Sequence, residues 1–402
     1  MKIVIAPDSF KGSLTALQAA LAIKRGLVNV WPDAEYLVFP VSDGGVGTVE
    51  ALVYLTGGTT FVDEVKDSLG RKIKAAWGLL GDGKTAVVEI ASACGLMNLS
   101  PKDLDPARAC TYGFGQQIQK ALEKGIDRLI LGLGGSATND AGAGMLEALG
   151  LKLLKADGTP IERGAHGLGE LFSIDSSGLN PRLGEVEITV ACAVKNPLLG
   201  PKGTSQIFGP KKGATNLLIP ELDKALAKFH EVGAKHTGRS ADSKPGAGAA
   251  GGVGAALMLF TEATFVKGIE VVLKEGRFAE KAAGASLIIA GEGTTDQDTL
   301  WWGKAPLGVS DAGRAMGIPT ITIAGALEVG YQKLYDGGMA AVMGVIPYPM
   351  SYPQAIGDAS RFLEDAAWRL ARILTTKLAD AGEAESRPAG THVEPALLIG
   401  ET

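Results

Sequence analysis

LILGLGGSATNDAGAGM, residues 129–145, decides how this chain is read. The apolar run 129–133 is short and sharply bounded, which marks a buried strand; the Gly134-Gly135 pair ends it, and residues 145–149 continue as a helix. In the turn between them, glycines let a ligand approach the backbone and Ser136 and Thr138 offer hydroxyls. Asn139 and Asp140 can cap the helix or hold a metal-bound phosphate. The unit is strand, loop, helix, with room for an anion in the loop.

The same unit occurs twice near the N-terminus. Residues 2–6 read as a strand, and PDSFKGS (7–13) turns into a helix whose apolar face is Leu14, Leu17, Ala20, Leu21, Ile23 and Leu27. Residues 36–41 read as the next strand, which runs into SDGGVGT (42–48) and a helix over 49–55. Strands joined in this way lie parallel with right-handed crossovers, and ligands gather at their carboxyl ends, where these loops fall. From residue 59 to 90 the pattern shifts to shorter strands, 74–80 and 86–90, with a Gly-Asp-Gly turn between them, which predicts antiparallel structure in a second domain. A helix over 111–124, a strand over 186–194 and a helix over 220–235 follow, and the parallel rhythm returns with strands at 286–290, 320–324 and 340–346. The expected architecture is an α/β parallel-sheet domain made of both chain ends, residues 1–60 and 284–380, around an inserted mixed α/β domain, residues 61–283. Residues 381–402, rich in Ala, Glu and Pro, are expected to form a flexible, solvated tail.

Composition excludes several classes of function. With 402 residues, 46% hydrophobic and 21% charged, the chain is an ordinary folded protein long enough for two domains. A net charge of -5 gives no basic footprint for nucleic acid. The uncharged stretch 246–261 is too short for a membrane span, and the N-terminus carries no long apolar signal region, so a cytoplasmic protein is expected. Cys94, Cys110 and Cys192 have no CxxC spacing, and the four histidines form no ligand pattern, which argues against zinc sites and histidine-based nucleophiles. The 56 glycines are about twice the usual share and fall in clusters between elements instead of in a repeat.

Those clusters point to phosphate chemistry. No Walker A pattern is present, and no GxGxxG stands in Rossmann context; the dense glycines of 246–254 read as tight packing. Instead, several loops mix glycine, Ser or Thr, a carboxylate and one lysine. Phosphoryl transfer needs these parts: amides and lysines for phosphate oxygens, carboxylates for Mg²⁺, and a carboxylate to take the hydroxyl proton. Glu292 and Asp296 follow a buried strand, and Lys11 and Lys304 sit in glycine-bearing loops where an ammonium head can meet an anion.

Taken together, six blocks resemble the bacterial ATP-dependent glycerate kinases of the glycerate 2-kinase type: residues 1–14, 41–48, 132–145, 196–215, 245–257 and 291–309, in the family's order. The resemblance covers roughly residues 1–380. It implies a flavodoxin-like domain holding a restriction-enzyme-like insert, with Mg²⁺ and ATP as cofactors. It also implies transfer of the γ-phosphate to (R)-glycerate, giving 2-phosphoglycerate and ADP in glyoxylate or sugar-acid breakdown. Under this reading Asp43 or Asp296 takes the proton from the acceptor hydroxyl, and Asp140 or Glu292 helps hold Mg²⁺. Lys11, Lys304 and the Gly134, Gly135 and Ser136 amides neutralise developing charge, and Asp8, Ser9, Asn139 and Asn196 contact substrate or phosphate.

The chain departs from the family pattern at Val46, where a glutamate is usual, at Ala193, where an aspartate is usual, and at Ala141 and Thr294; the Trp301-Trp302 pair is one residue longer than the usual spacing. The lost carboxylates at 46 and 193 raise the alternative of a catalytically impaired glycerate- or nucleotide-binding homologue. The sequence leaves a homodimer open.

Overall fold

The computed structural model describes residues 1–295 and 304–376. Strands β1 (Lys2–Pro7) and β2 (Glu35–Val38) open the chain. Strands β3 (Thr59–Lys66), β4 (Lys72–Leu79), β5 (Thr85–Glu89), β6 (Arg128–Gly132), β7 (Lys152–Leu154), β8 (Ser173–Asp175), β9 (Glu187–Ala191) and β10 (Thr264–Val266) occupy the middle. Strands β11 (Leu287–Thr295), β12 (Thr320–Leu327) and β13 (Ala341–Gly344) close it.

Both chain ends build one sheet, ordered β13-β12-β11-β1-β2 and parallel throughout. Counted along the chain within this sheet, that is the flavodoxin-like order 2-1-3-4-5. Its switch point lies between β1 and β11, where the crossovers leave in opposite directions and open a crevice beyond the strand ends. The second sheet is mixed, ordered β10-β9-β6-β5-β4-β3, with β3, β4 and β5 antiparallel and β5, β6, β9 and β10 parallel. The predicted change of pattern after residue 59 is thus a real change of sheet, and β6 with the loop after it belongs to the second one.

Period-two alternation sorts the strand residues into layers. In the first sheet Ile3, Ile5, Ile289 and Ile323 pack on helices Ala16–Val28 and Ala359–Thr375, while Val4, Ala6, Ile288 and Ala290 face the opposite side. That opposite side is a helical layer formed by Thr48–Thr56, Gly268–Glu275 and Ala305–Ala315. Val87, Ile130 and Ala191 of the second sheet pack into the same apolar cluster from the other side, and Val88, Leu129, Leu131 and Val190 point away from it into the largest core. One helical layer therefore serves both sheets, and burial of its two apolar faces fixes the sheets, and the loops at their strand ends, relative to each other.

The glycines of 246–254 have a packing role. Ala250, Gly251 and Gly252 take left-handed φ values of 51°, 69° and 97° and break the helix start. A Cβ on Gly251 would stand 2.0 Å from the Thr138 carbonyl oxygen, and the Ala141 amide donates to the Gly251 carbonyl at 2.9 Å. This segment is the backing on which the 134–142 loop rests. Among the described residues no helix is long and apolar enough to cross a membrane.

Candidate active site

The crevice at the switch point carries most of the charged candidates. The Asp8 amide donates to the Gly291 carbonyl at 2.8 Å, which places Asp8, just past β1, beside Glu292 within β11. Paired bonds between Phe10 and Leu14 close a tight turn, with Gly12 at φ 83° where a side chain would be strained, and that turn carries Lys11 to the crevice. Lys304 stands immediately before helix Ala305–Ala315, its Nζ 4.0 Å from Glu292 Oε2, while the Thr295 hydroxyl donates to Glu292 Oε1 at 2.9 Å. These side chains line a cavity of about 540 Å³, with Ser9 and Asp43 in the same wall and an apolar flank of Val345, Ile346, Met350, Ile356 and Phe362.

Three carboxylates share this cavity, and their crowding shows in Asp8. Burial pushes its pKa up to about 8, the Asp43 and Glu292 charges add to the rise, and the Ser9 amide, donating at 2.6 Å, and Lys11 oppose it. A cation, or fewer charges in the same space, would relieve the site. Among the described residues no group of three or more His, Cys, Asp or Glu side chains is arranged to hold a metal by itself.

Asp43 belongs to a second cavity as well. Its Oδ1 accepts from the Gly45 amide at 3.1 Å in the turn that follows β2, and the Gly134 amide donates to the Gly44 carbonyl at 3.0 Å. A Cβ on Gly134 would lie 2.6 Å from Gly45 Cα, so the two glycine loops touch backbone to backbone and glycine is required at the contact. Beyond that contact a cavity of about 200 Å³ is lined by Asp43, Gly134, Gly135, Ser136, Ala193, Lys211 and Lys212 among others. Asp43 is the carboxylate common to both cavity walls.

Lys212 is the residue that sequence reasoning missed. Its side chain is only 4% exposed, and its ammonium donates to Ser136 Oγ at 3.0 Å and to the Thr138 carbonyl at 2.6 Å. Burial lowers its pKa to about 7, against a weaker pull upward from Asp140. Lys211-Lys212 reads as a solvated pair in a Gly- and Pro-bearing loop, and nothing in the sequence says which of two adjacent lysines turns inward. Glu89, at the end of β5, was also unforeseen: its carboxylate accepts from the Gly47 and Val49 amides at 3.3 and 3.0 Å and caps helix Thr48–Thr56 from another sheet.

Other candidates fall elsewhere. Asp140, considered as a Mg²⁺ ligand, lines neither cavity and is fully buried; Oδ2 accepts from the Thr111 amide, the Thr111 hydroxyl and the Gly144 amide at 2.8, 2.9 and 3.2 Å, and Oδ1 from the Gly142 amide at 3.2 Å. Its oxygens accept from the starts of two helices, Tyr112–Leu122 through Thr111 and Ala143–Ala148 through Gly142 and Gly144. Asn139 and Asn196 likewise line neither cavity: Asn139 donates to Ser205 Oγ at 3.1 Å and Asn196 to the Lys202 carbonyl at 2.8 Å, and each ties two loop segments together. Val46 is outside both walls, whereas Ala193 does line the smaller cavity. Asp296 and the Trp301-Trp302 pair lie outside the described residues.

With this geometry in place, the comparisons with known proteins are decisive. The model of the glycerate kinase family matches residues 3–375. The chain belongs to the glycerate kinase family. It is similar to a glycerate kinase of Halalkalibacterium halodurans, 45% identical over 371 residues covering 92% of this chain and 97% of that protein. It is similar also to the glycerate 2-kinase of Escherichia coli K12, 44% identical over 95% of this chain and all of the relative. A crystal structure of a Salmonella typhimurium LT2 protein provisionally named glycerate kinase 2 superposes with a TM-score of 0.81 at 42% identity, covering 96% of this chain and 99% of that one. For a member of the glycerate kinase family, two unequal cavities meeting at one carboxylate is an arrangement suited to a donor and an acceptor.

Proposed function

We propose that this protein transfers the γ-phosphoryl group of ATP to a hydroxyl of (R)-glycerate, giving 2-phosphoglycerate and ADP. The observation that carries the reading is the position of Asp43 on the wall shared by the two cavities. Size supports this arrangement: the larger cavity, with an apolar flank suited to a base and ribose, would take the nucleotide, and a three-carbon acid would fit the 200 Å³ space. The acceptor hydroxyl oxygen forms the new bond to Pγ, the bond from Pγ to the bridging oxygen breaks, ADP leaves with that electron pair, and the hydroxyl proton passes to Asp43. Lys11 and Lys304 balance charge on the transferred group from the nucleotide side, and the Gly135 amide does so from the acceptor side, the Gly134 amide being taken by the Gly44 carbonyl.

Mg²⁺ fits the donor set. Asp8 and Glu292 are hard oxygen ligands crowded into a buried space, and Mg²⁺ ordinarily takes only one or two carboxylates while keeping water and phosphate oxygens. These two residues would hold it, and when bound it spreads the negative charge of the phosphates. Asp296 remains the rival to Asp43 as proton acceptor.

The test is incubation with ATP, Mg²⁺ and (R)-glycerate, with the product identified by phosphorus NMR. A 2-phosphoglycerate signal is expected. Glycerate binding by calorimetry with no ADP release would instead favour the binding-protein alternative, for which Ala193 in the smaller cavity wall is the motivating feature.

A further inference from the structure

Charge accounting in the smaller cavity leads beyond the assignment of donor and acceptor. Lys212 is a buried ammonium whose hydrogen-bond partners are a hydroxyl and a carbonyl, both neutral. Among the described residues it forms no ion pair. A buried charge without a counter-charge is costly, so such a group sheds its proton or is completed by an anion. Asp140 already accepts four hydrogen bonds, two from Thr111 and two from its own loop, and Asp43, on the same cavity wall, forms no ion pair with Lys212 among the described residues. An anion entering the cavity that Lys212 lines would supply the missing charge.

We infer that Lys212, oriented by Ser136 and the Thr138 carbonyl, binds the carboxylate of the acceptor and makes the enzyme selective for hydroxy acids over neutral polyols. The inference rests on the phosphotransferase reading above and adds the group that recognises the acid. Two of the three ammonium protons are held by Ser136 Oγ and the Thr138 carbonyl, which leaves one for a ligand oxygen. Ser136 fixes the ammonium from the glycine loop that touches the Asp43 loop, so the carboxylate anchor and the proton acceptor are held by one backbone contact. An acid held this way by its carboxylate has its hydroxyls left to face Asp43. The charged groups facing Lys212 are Lys211 and Asp43 on the same cavity wall and Asp140 behind it.

Lys212→Met keeps the length and removes the charge. Steady-state kinetics of the full-length variant should show the KM for (R)-glycerate raised at least about thirtyfold, the effect expected when one member of a buried charge pair is lost, with the KM for ATP within about threefold of wild type. Preference for glycerate over glyceramide, its neutral analogue, should collapse. Calorimetric titration of (R)-glycerate at pH 8 in buffers of differing ionisation enthalpy should show net proton uptake by the wild type and none by the variant, because a bound carboxylate draws a proton onto the Lys212 amine, which is mostly neutral at that pH when free. If Lys212→Met does not fold, Ser136→Ala is titrated in its place and should weaken glycerate binding in the same direction with nucleotide binding unchanged. A raised KM for ATP with an unchanged KM for glycerate, or an intact preference for glycerate over glyceramide, overturns the inference and leaves the phosphotransferase reading standing. No glycerate phosphorylation by the wild type overturns both.

Discussion

Replacing Asp140 with alanine should destabilise the protein without touching metal affinity, and the size of the effect follows from four contacts. The substitution leaves the Thr111, Gly142 and Gly144 amides without their acceptor in a dry interior and removes the bond from the Thr111 hydroxyl. At about 1–3 kcal/mol for each buried donor left unpaired, the gross loss is several kcal/mol. Relief of a desolvated charge offsets part of it, since burial raises the Asp140 pKa despite those bonds, and the net loss is about 3–5 kcal/mol. At about 2 °C per kcal/mol for a large domain, Tm should fall by about 6–10 °C in scanning calorimetry without ligands. Asp140→Asn keeps one acceptor oxygen and should lose roughly half as much. A variant that melts like wild type but needs far more Mg²⁺ for turnover would refute the reasoning and return Asp140 to the metal site.

Three further outcomes are expected. Asp8 binds its proton more tightly folded, with a pKa of about 8 against 3.8, so the folded state holds the extra proton between these values and stability falls as pH rises through that window; above pH 8 the difference is constant. Asp8→Asn should therefore match wild type near pH 4 and exceed it by on the order of 1–3 kcal/mol in urea denaturation at pH 8 without nucleotide, and equal stabilities at pH 8 would count against the buried carboxylate. Asp43→Asn should lower kcat by about 10²–10⁴ with the fold retained, and if Asp296→Asn alone has that effect the proton goes to Asp296. Gly134→Ala pushes a Cβ to within 2.6 Å of Gly45 Cα, so the loops must part; a loss of about 1–3 kcal/mol on urea unfolding and at least about a tenfold drop in kcat/KM are expected.

How far the sequence reaches can be seen in single residues. Lys11, Asp43, Glu292 and Lys304 were recognisable because each follows a buried strand or occupies a glycine-bearing turn, and in parallel sheets those positions converge on the carboxyl edge. Asp140 was ambiguous, since a carboxylate at the start of a helix reads alike whether it faces amides or a cation. Ala141 shows the same limit: its left-handed φ of 55° explains why glycine suits the position, but the strain is visible only once the Gly251 carbonyl is seen to hold its amide.

Local pattern by itself determined the alternation of strands and helices, the parallel sheet shared by both chain ends and the change of sheet after residue 59, because apolar period and turn residues act over a few positions. Tertiary structure alone decided that Asp43 stands between two cavities, that Lys212 is buried against Ser136 and Thr138, and that Asp140 accepts from Thr111 as well as from its own loop. Each of those depends on which groups are excluded from water and on partners tens to more than a hundred residues away, and burial is a property of the packed chain that no short window of sequence contains.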